Sequence, residues 1–335
     1  VGVERRVEAP PSVTLTAFLH GYPPLWSMGG ETSTHRTLRV VPGSVVFTAT
    51  ARNYHLDGVS VKPATGASLQ SIMTDAESAG ASILFGHSSL SQETIRAAKK
   101  MHLPSILAVH APPRFGTDLR RAWQSATVRL YNTQVARKDW RDAKGWLLHP
   151  PVGEPSPLPE GPRNALTLTS SLLNKGADRV LELARRRYDQ RFIIVESPAH
   201  PTHGDPLFWE RAERLENVEV WPRLHPAEMN RLWAETRVLL VPSRYETYGM
   251  AAMEAAWHGI PSVHVDTPHV REGIGHAARL LKTTSVDELD HALTEVELEH
   301  NVWSDRAFDR AGSLAKRESQ ELERFAAGVA TLTPP

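Results

Sequence analysis

The stretch from Val238 to Gly275 limits what this chain can fold into more than any other part of it. It opens with an apolar run, Val238-Leu239-Leu240-Val241, of the length and composition of a buried parallel strand. Pro242 and Ser243 end that run. A segment rich in Ala and Met follows, from about Tyr248 to His258, and these are strong helix formers. Gly259 and Pro261 supply the stop signals, and Ser262 to Val265 reads as a second strand. Strand, helix and strand in about 30 residues make a βαβ unit, which needs a parallel sheet to join.

Two carboxylates mark this unit. Glu246 falls in the turn between strand and helix, and Glu254 two helical turns later. The helical neighbours of Glu254 are Met250, Ala251, Trp257 and His258, and a carboxylate on so apolar a face needs a partner. Eight helical residues rise about 12 Å. A ligand that touches both carboxylates is therefore long, with hydroxyls near each end, as a nucleotide sugar has. Its diphosphate would meet the free N–H groups around Gly249 and Met250.

Pro242-Ser243, Glu246, Gly249, Glu254 and Gly259-Ile260-Pro261, with Glu272 before a later Gly-rich turn, stand in a specific order. In that order they resemble the signature of the retaining glycosyltransferases of family 4, which have the GT-B fold. An unrelated βαβ unit carrying two incidental Glu residues is the alternative. The resemblance implies an α/β chain of two Rossmann-like, doubly wound parallel-sheet domains facing a central cleft. It also implies that Glu246 holds donor-sugar hydroxyls, Glu254 the ribose, and the turn Thr247-Tyr248-Gly249-Met250 the rest of the donor. Within the family, the chain most resembles members from actinomycete antibiotic pathways, the orthosomycin (avilamycin-type) enzymes among them.

The rest of the chain fits two domains, for which 335 residues suffice. Val13 to Leu19 reads as a first strand, and a helix is expected from about Glu31 to Arg39. Between them lie Tyr22-Pro23-Pro24, Trp26-Ser27-Met28 and Gly29-Gly30. Gly-Gly between strand and helix is either a plain turn or a place where backbone approaches a phosphate or sugar. In the family that loop faces the donor diphosphate and the acceptor, which favours the second reading for Gly29 and Gly30.

Short strands at Ser44–Thr48, Gly58–Lys62, Ser82–Phe85 and Ser105–Val109 alternate with helical stretches at Leu69–Ala79 and Ser91–Met101. That alternation predicts a parallel sheet, with ligands bound beyond the carboxyl ends of its strands. Two strands end in His, at Gly86-His87 and Val109-His110. Either is a hydrogen-bonded structural His or a ligand contact. By resemblance His110 contacts the donor sugar, with His87 second.

Six Pro residues between Pro150 and Pro162 predict a domain boundary. The resemblance then implies the division 1–150 for an acceptor-side domain, 151–164 for a linker, 165–300 for a donor domain, and 301–335 for a helix crossing back to the first domain. The donor domain starts with a strand at Ala165–Ser170, then Asn174-Lys175-Gly176 before a helix. Lys175 matches the family Lys that binds donor phosphates. The family Arg five residues earlier is Ser170 here, which leaves Lys175 either alone in the phosphate clamp or joined there by Arg223 or Arg244. Glu196 and Ser197 stand where the family has Gly residues near the nucleotide.

Zero net charge gives no electrostatic case for nucleic acid. Absence of Cys excludes disulfides and thiolate metal sites. No apolar run approaches membrane-spanning length and no secretory signal is visible, so a cytoplasmic protein is expected. His200 and His203 have metal-compatible spacing without a third ligand and read as loop residues. No Asp-x-Asp motif occurs, so no metal or other cofactor is expected, with leaving-group charge carried by Lys175. The expected partners are a nucleotide-sugar donor and a small-molecule or glycan acceptor. A sugar-nucleotide 2-epimerase of the same architecture and a non-catalytic nucleotide-sugar binder are the rival readings.

Overall fold

Strand and helix alternate along the chain as the apolar pattern requires, and they build two sheets. The structure is a computed structural model and describes residues 13–24, 29–110, 112–113, 117–153, 160–197, 199, 204–225 and 228–332. Trp26-Ser27-Met28, His200, His203 and part of the Pro-rich stretch lie outside the described residues.

The first half contains β1 (Leu15–Phe18), α1 (Gly29–Leu38), β2 (Val45–Thr48), β3 (Tyr54–Leu56), β4 (Val59–Pro63) and α2 (Leu69–Ser78). It continues with β5 (Ile83–Gly86), α3 (Ser91–Lys100), β6 (Ser105–Val109), α4 (Thr117–Ser125), β7 (Val128–Tyr131), α5 (Gln134–Asp139) and β8 (Trp146–Leu147). Among the described residues these eight strands form one sheet, in the order β3-β4-β2-β1-β5-β6-β7-β8. The expectation of a wholly parallel sheet is corrected at one edge, where β3 pairs antiparallel with β4. Asp57 and Gly58 both have positive φ there, the geometry of a two-residue hairpin turn, and Asp-Gly is a sequence signal for it.

The second half contains β9 (Ala165–Leu168), α6 (Ala177–Arg186), β10 (Arg191–Val195), α7 (Phe208–Glu213), β11 (Val218–Trp221), α8 (Met229–Glu235) and β12 (Thr236–Val241). Then come α9 (Met250–Ala256), β13 (Ser262–Val265), α10 (Pro268–Glu272), β14 (Arg279–Leu281), α11 (Val286–Leu298) and α12 (His300–Thr331). Six strands pair in the order β11-β10-β9-β12-β13-β14, all parallel. The central residues of the four inner strands, β10, β9, β12 and β13, are almost all buried, as strands covered on both faces demand, whereas the edge strands β11 and β14 are only partly buried.

The strand orders fix where ligands can sit. In the second sheet the winding reverses between β9 and β12, and in the first between β1 and β5. Loops diverge at such reversals and leave a crevice beyond the strand ends. The long α12 serves both halves. Ala307, Ala311 and Leu314 join the apolar core around β12 and α9, whereas Leu322, Phe325 and Val329 join the core of the first sheet. Among the described residues no helix is long and apolar enough to cross a membrane.

Candidate active site

The loops at both reversals line a single cleft of about 820 Å³. From the second sheet, β9 and β12 are neighbours, so the loops after them meet. The first loop carries Ser170 and Lys175, and the second Glu246 to Met250. Gly176 makes the meeting possible: its φ is +87°, and a Cβ there would lie 2.5 Å from the Pro242 carbonyl oxygen. Lys175 Nζ donates to Glu246 Oε2 at 2.8 Å, and the Thr247 N–H donates to Oε1 at 3.1 Å. Burial pushes the Glu246 carboxyl up, but Lys175, His264 and the Thr247 N–H outweigh it and hold the group below its usual range. Glu246 is thus an ionised carboxylate set beside a cation.

Gly249 starts α9 with φ +86°, and a Cβ there would lie 2.6 Å from His264 Nε2. This sharpens the expectation of a helix from about Tyr248 to His258: the left-handed residue delays its start, and Trp257 and beyond form a turn. The 12 Å rise expected between Glu246 and Glu254 is corrected accordingly, because only the part from Met250 is helical. Both carboxylates still line the same cleft. Thr247, Tyr248 and Met250 line it as well, although the Tyr248 hydroxyl turns away to accept from Arg317 on α12 at 2.6 Å.

The first half supplies Gly29, Gly30, His87 and His110. A Cβ on Gly30 would lie 3.2 Å from the His87 ring, and one on Gly29 would lie 3.4 Å from Met250 Sδ in the other half. The small residues therefore let α1 approach both the His pair and the opposite wall. The His87 and His110 rings meet edge-on, with centroids 4.8 Å apart. His87 Nδ1 and His110 Nε2 are buried without a hydrogen-bond partner among the described residues. Burial pushes His110 down to about 4, and burial together with His110 pushes His87 down too. Both rings are neutral at neutral pH, each with one donor and one acceptor nitrogen.

Of the two Arg candidates, only one reaches the cleft. Arg244 does not line the cleft: it pairs with Asp178 in the first turn of α6 at 2.7 Å and donates to the Leu173 carbonyl. Arg223 does line it, together with Ser170, Glu196 and Ser197. Glu272, the last Glu of the family pattern, lies outside the residues that line the cleft. It accepts from the Gln134 and Val135 N–H groups at the start of α5 and from His149 Nε2 at 2.6 Å, tying the two halves together.

Sequence reasoning missed Arg36. It projects from α1 into the cleft and reaches Glu254 at 3.5 Å across the domains. Its place two helical turns after Gly29 was the available signal, and nothing in the sequence pairs it with residue 254. Burial pushes the Glu254 carboxyl up, and Arg36 pulls it back only in part. Among the described residues no three His, Asp or Glu side chains gather in a metal-ligating group.

Two doubly wound halves that open their strand-order reversals onto one cleft define the GT-B class of fold. Solved structures of that class match nearly the whole chain. Anabaena HepE in complex with UDP and glucose is 15% identical with a TM-score of 0.75, over 96% of this chain and 100% of that one. Sucrose-phosphate synthase from Thermosynechococcus elongatus is 12% identical with a TM-score of 0.71, over 94% and 100%. A putative UDP-N-acetylglucosamine 2-epimerase from Listeria monocytogenes is 14% identical with a TM-score of 0.63, over 95% and 96%. Identities this low speak for the fold.

The family likeness lies in the second half. Residues 165–297 match the family described as Glycosyl transferases group 1. A D-inositol 3-phosphate glycosyltransferase from Segniliparus rotundus is 30% identical over 96 residues, which is 27% of this chain. The match covers 21% of that relative's length. Together the findings support a glycosyltransferase family for this domain.

Proposed function

We propose that this chain is a retaining glycosyltransferase that moves a sugar from a nucleotide-diphosphate sugar to an acceptor hydroxyl. The observation that carries the reading is the Lys175–Glu246 pair at the reversal of the second sheet, facing the His87–His110 pair of the first across one cleft. HepE, with the same fold, is described with UDP and with UDP-glucose, which makes these the first probes to try.

In this reading Lys175 faces the departing phosphate and stabilises the charge that develops as the sugar–phosphate bond breaks. Glu246, kept ionised by Lys175, accepts hydrogen bonds from the donor-sugar hydroxyls. Glu254 accepts from the ribose, and Gly249 with Met250 lets backbone approach the diphosphate. Gly29, Gly30 and the neutral His110 bring the first half against the sugar, so reaction needs a closed cleft. The acceptor hydroxyl forms its bond to the anomeric carbon on the face the phosphate leaves, and its proton passes to that phosphate. Arg223, not Arg244, is the cleft-lining candidate to replace the Arg absent at Ser170. No step uses a metal or other cofactor. The cell compartment is read as the cytoplasm, and the pathway, on resemblance alone, as antibiotic or glycan biosynthesis.

Calorimetry with UDP, GDP and ADP, followed by assay of the matching nucleotide sugars with sugar acceptors, tests the reading. Glu254→Ala should weaken binding of the nucleoside diphosphate by roughly 10- to 100-fold, the worth of about 1.5–3 kcal/mol for hydrogen bonds to a charged group. Glu246→Ala should spare that binding and damage transfer. Conversion of one nucleotide sugar into its epimer without any acceptor would replace the proposal with the epimerase reading. A failure of all three nucleotides to bind would end it.

A further inference from the structure

Arg36 is a cleft-lining cation that the proposed reaction leaves unused. It belongs to α1 in the first half, yet its contacts are with the other half and with the segment that joins them. Nη1 donates to the Pro151 carbonyl at 3.0 Å and to Glu254 Oε1 at 3.5 Å. Gly153 makes room for it, since a Cβ there would lie 3.2 Å from Arg36 Nε, and its φ is +81°. Both side chains are about three-quarters withdrawn from solvent. The guanidinium is thus fixed along the hinge and offers Glu254 one long contact.

A contact of that length counterbalances charge without saturating the acceptor. An ionised carboxylate has about four acceptor positions and Arg36 takes one of them weakly. The Glu254 carboxylate is therefore left with spare acceptor positions, which suits two adjacent hydroxyls donating together. Without a cation nearby, a carboxyl at this depth protonates more readily and gives up part of that capacity. Of the charged and titratable groups lining the cleft, Arg36 and Glu31 come from α1 and His258 from the turn after α9. Burial and Arg163 push His258 down, so it adds no cation at neutral pH.

We infer that Arg36 is a positioning residue for the nucleotide half of the donor: it supplies, from the opposite domain, the charge that keeps Glu254 ready to accept a ribose diol. The inference rests on the donor reading above and adds a consequence to it. Because the cation and the carboxylate sit on different halves, recognition of the ribose and closure of the cleft become one event. An open molecule would hold Glu254 without its counter-charge and bind the ribose less well.

The test uses Arg36→Met and Arg36→Lys in the full chain, with calorimetry for UDP, GDP and ADP between pH 5 and 8.5. For the nucleotide that wild type binds, Arg36→Met should lose at least tenfold in affinity at pH 6.5. The pH at which affinity is half-maximal should move upward, because the carboxyl must ionise unaided. Arg36→Lys should restore most of both. In a Glu254→Gln background, Arg36→Met should have little further effect, whereas a purely structural role would still show. Wild-type preference for the ribonucleotide over its 2′-deoxy form should shrink in Arg36→Met. Affinity and pH profile within threefold of wild type in Arg36→Met would overturn the inference alone. No binding of any of the three nucleotides to wild type would overturn the donor reading and this inference with it.

Discussion

Replacing His149 by Phe should separate the two halves more than any substitution in the cleft. The imidazole sits between two carboxylates from different parts of the fold. Nδ1 faces Glu321 of α12 at 2.9 Å, and Nε2 faces Glu272 of α10 at 2.6 Å. Ionised carboxylates only accept, so both ring nitrogens donate and the ring is an imidazolium. Burial pushes the His149 pKa down, but the hydrogen bonds it donates to Glu272 and Glu321 win and hold it above its usual value. A Phe of similar size keeps the packing and removes both donors. Breaking a buried ion pair costs about 3–5 kcal/mol. The lower figure applies, since Glu272 keeps two N–H groups of α5 and Glu321 keeps Arg317 nearby. For a chain of 335 residues, about 3 kcal/mol corresponds to a fall in melting temperature of roughly 4 °C. The pH sign follows from linkage. A raised His pKa contributes stability fully present below about 6.5 and lost as pH rises through the folded value. Glu272 and Glu321 are held low, so their share is present above about 4.5 and lost as pH falls through their folded values. Scanning calorimetry of both proteins from pH 5.5 to 9.5 should show a gap widest near pH 6 that closes toward alkaline pH. A gap under 2 °C at pH 6, or one unchanged to pH 9.5, would refute the imidazolium bridge.

Lys175→Ala should lower turnover by about 10²–10³-fold while changing nucleotide affinity far less, because the charge it meets grows in the transition state. Steady-state kinetics that place turnover within threefold of wild type would shift the role to Arg223. With Lys175 in its proposed role as the cation at the phosphate, nucleotide affinity and transfer should also survive excess EDTA; an EDTA loss that Mg²⁺ restores would show a metal in the clamp.

What the sequence disclosed was whatever repeats along one element. Alternating apolar strands and amphipathic helices made both sheets legible, because each inner strand is buried on two faces and reads as a nearly continuous apolar run. The edge hairpin of β3 and β4 escaped that pattern. Tyr54 to Leu56 is too short and too exposed to stand out, and only Asp57-Gly58 announced the turn. The start of α9 escaped for another reason. Ala and Met at 250–256 signal a helix, but the left-handed Gly249 is set by His264 beneath it, on the next strand.

The site was legible where its residues follow strand ends and illegible where they meet across the halves. Lys175, Glu246, Glu254, His87 and His110 all sit beyond strands that the pattern locates, so the cleft collects them. Arg36 lies 218 residues from Glu254, and His149 lies 123 from Glu272; no periodicity spans such distances. The fate of the two Arg candidates shows the same limit from the other side. Arg244 follows β12 as closely as Glu246 does, yet its guanidinium is taken by Asp178, which sits at the start of α6 where an acidic residue suits the helix dipole. The strand adjacency that joins Lys175 to Glu246 also delivers Arg244 to Asp178. One topological fact thus both builds the Lys175–Glu246 pair and withdraws a cation from it, leaving Arg223 as the cleft-lining side chain to test for the phosphate.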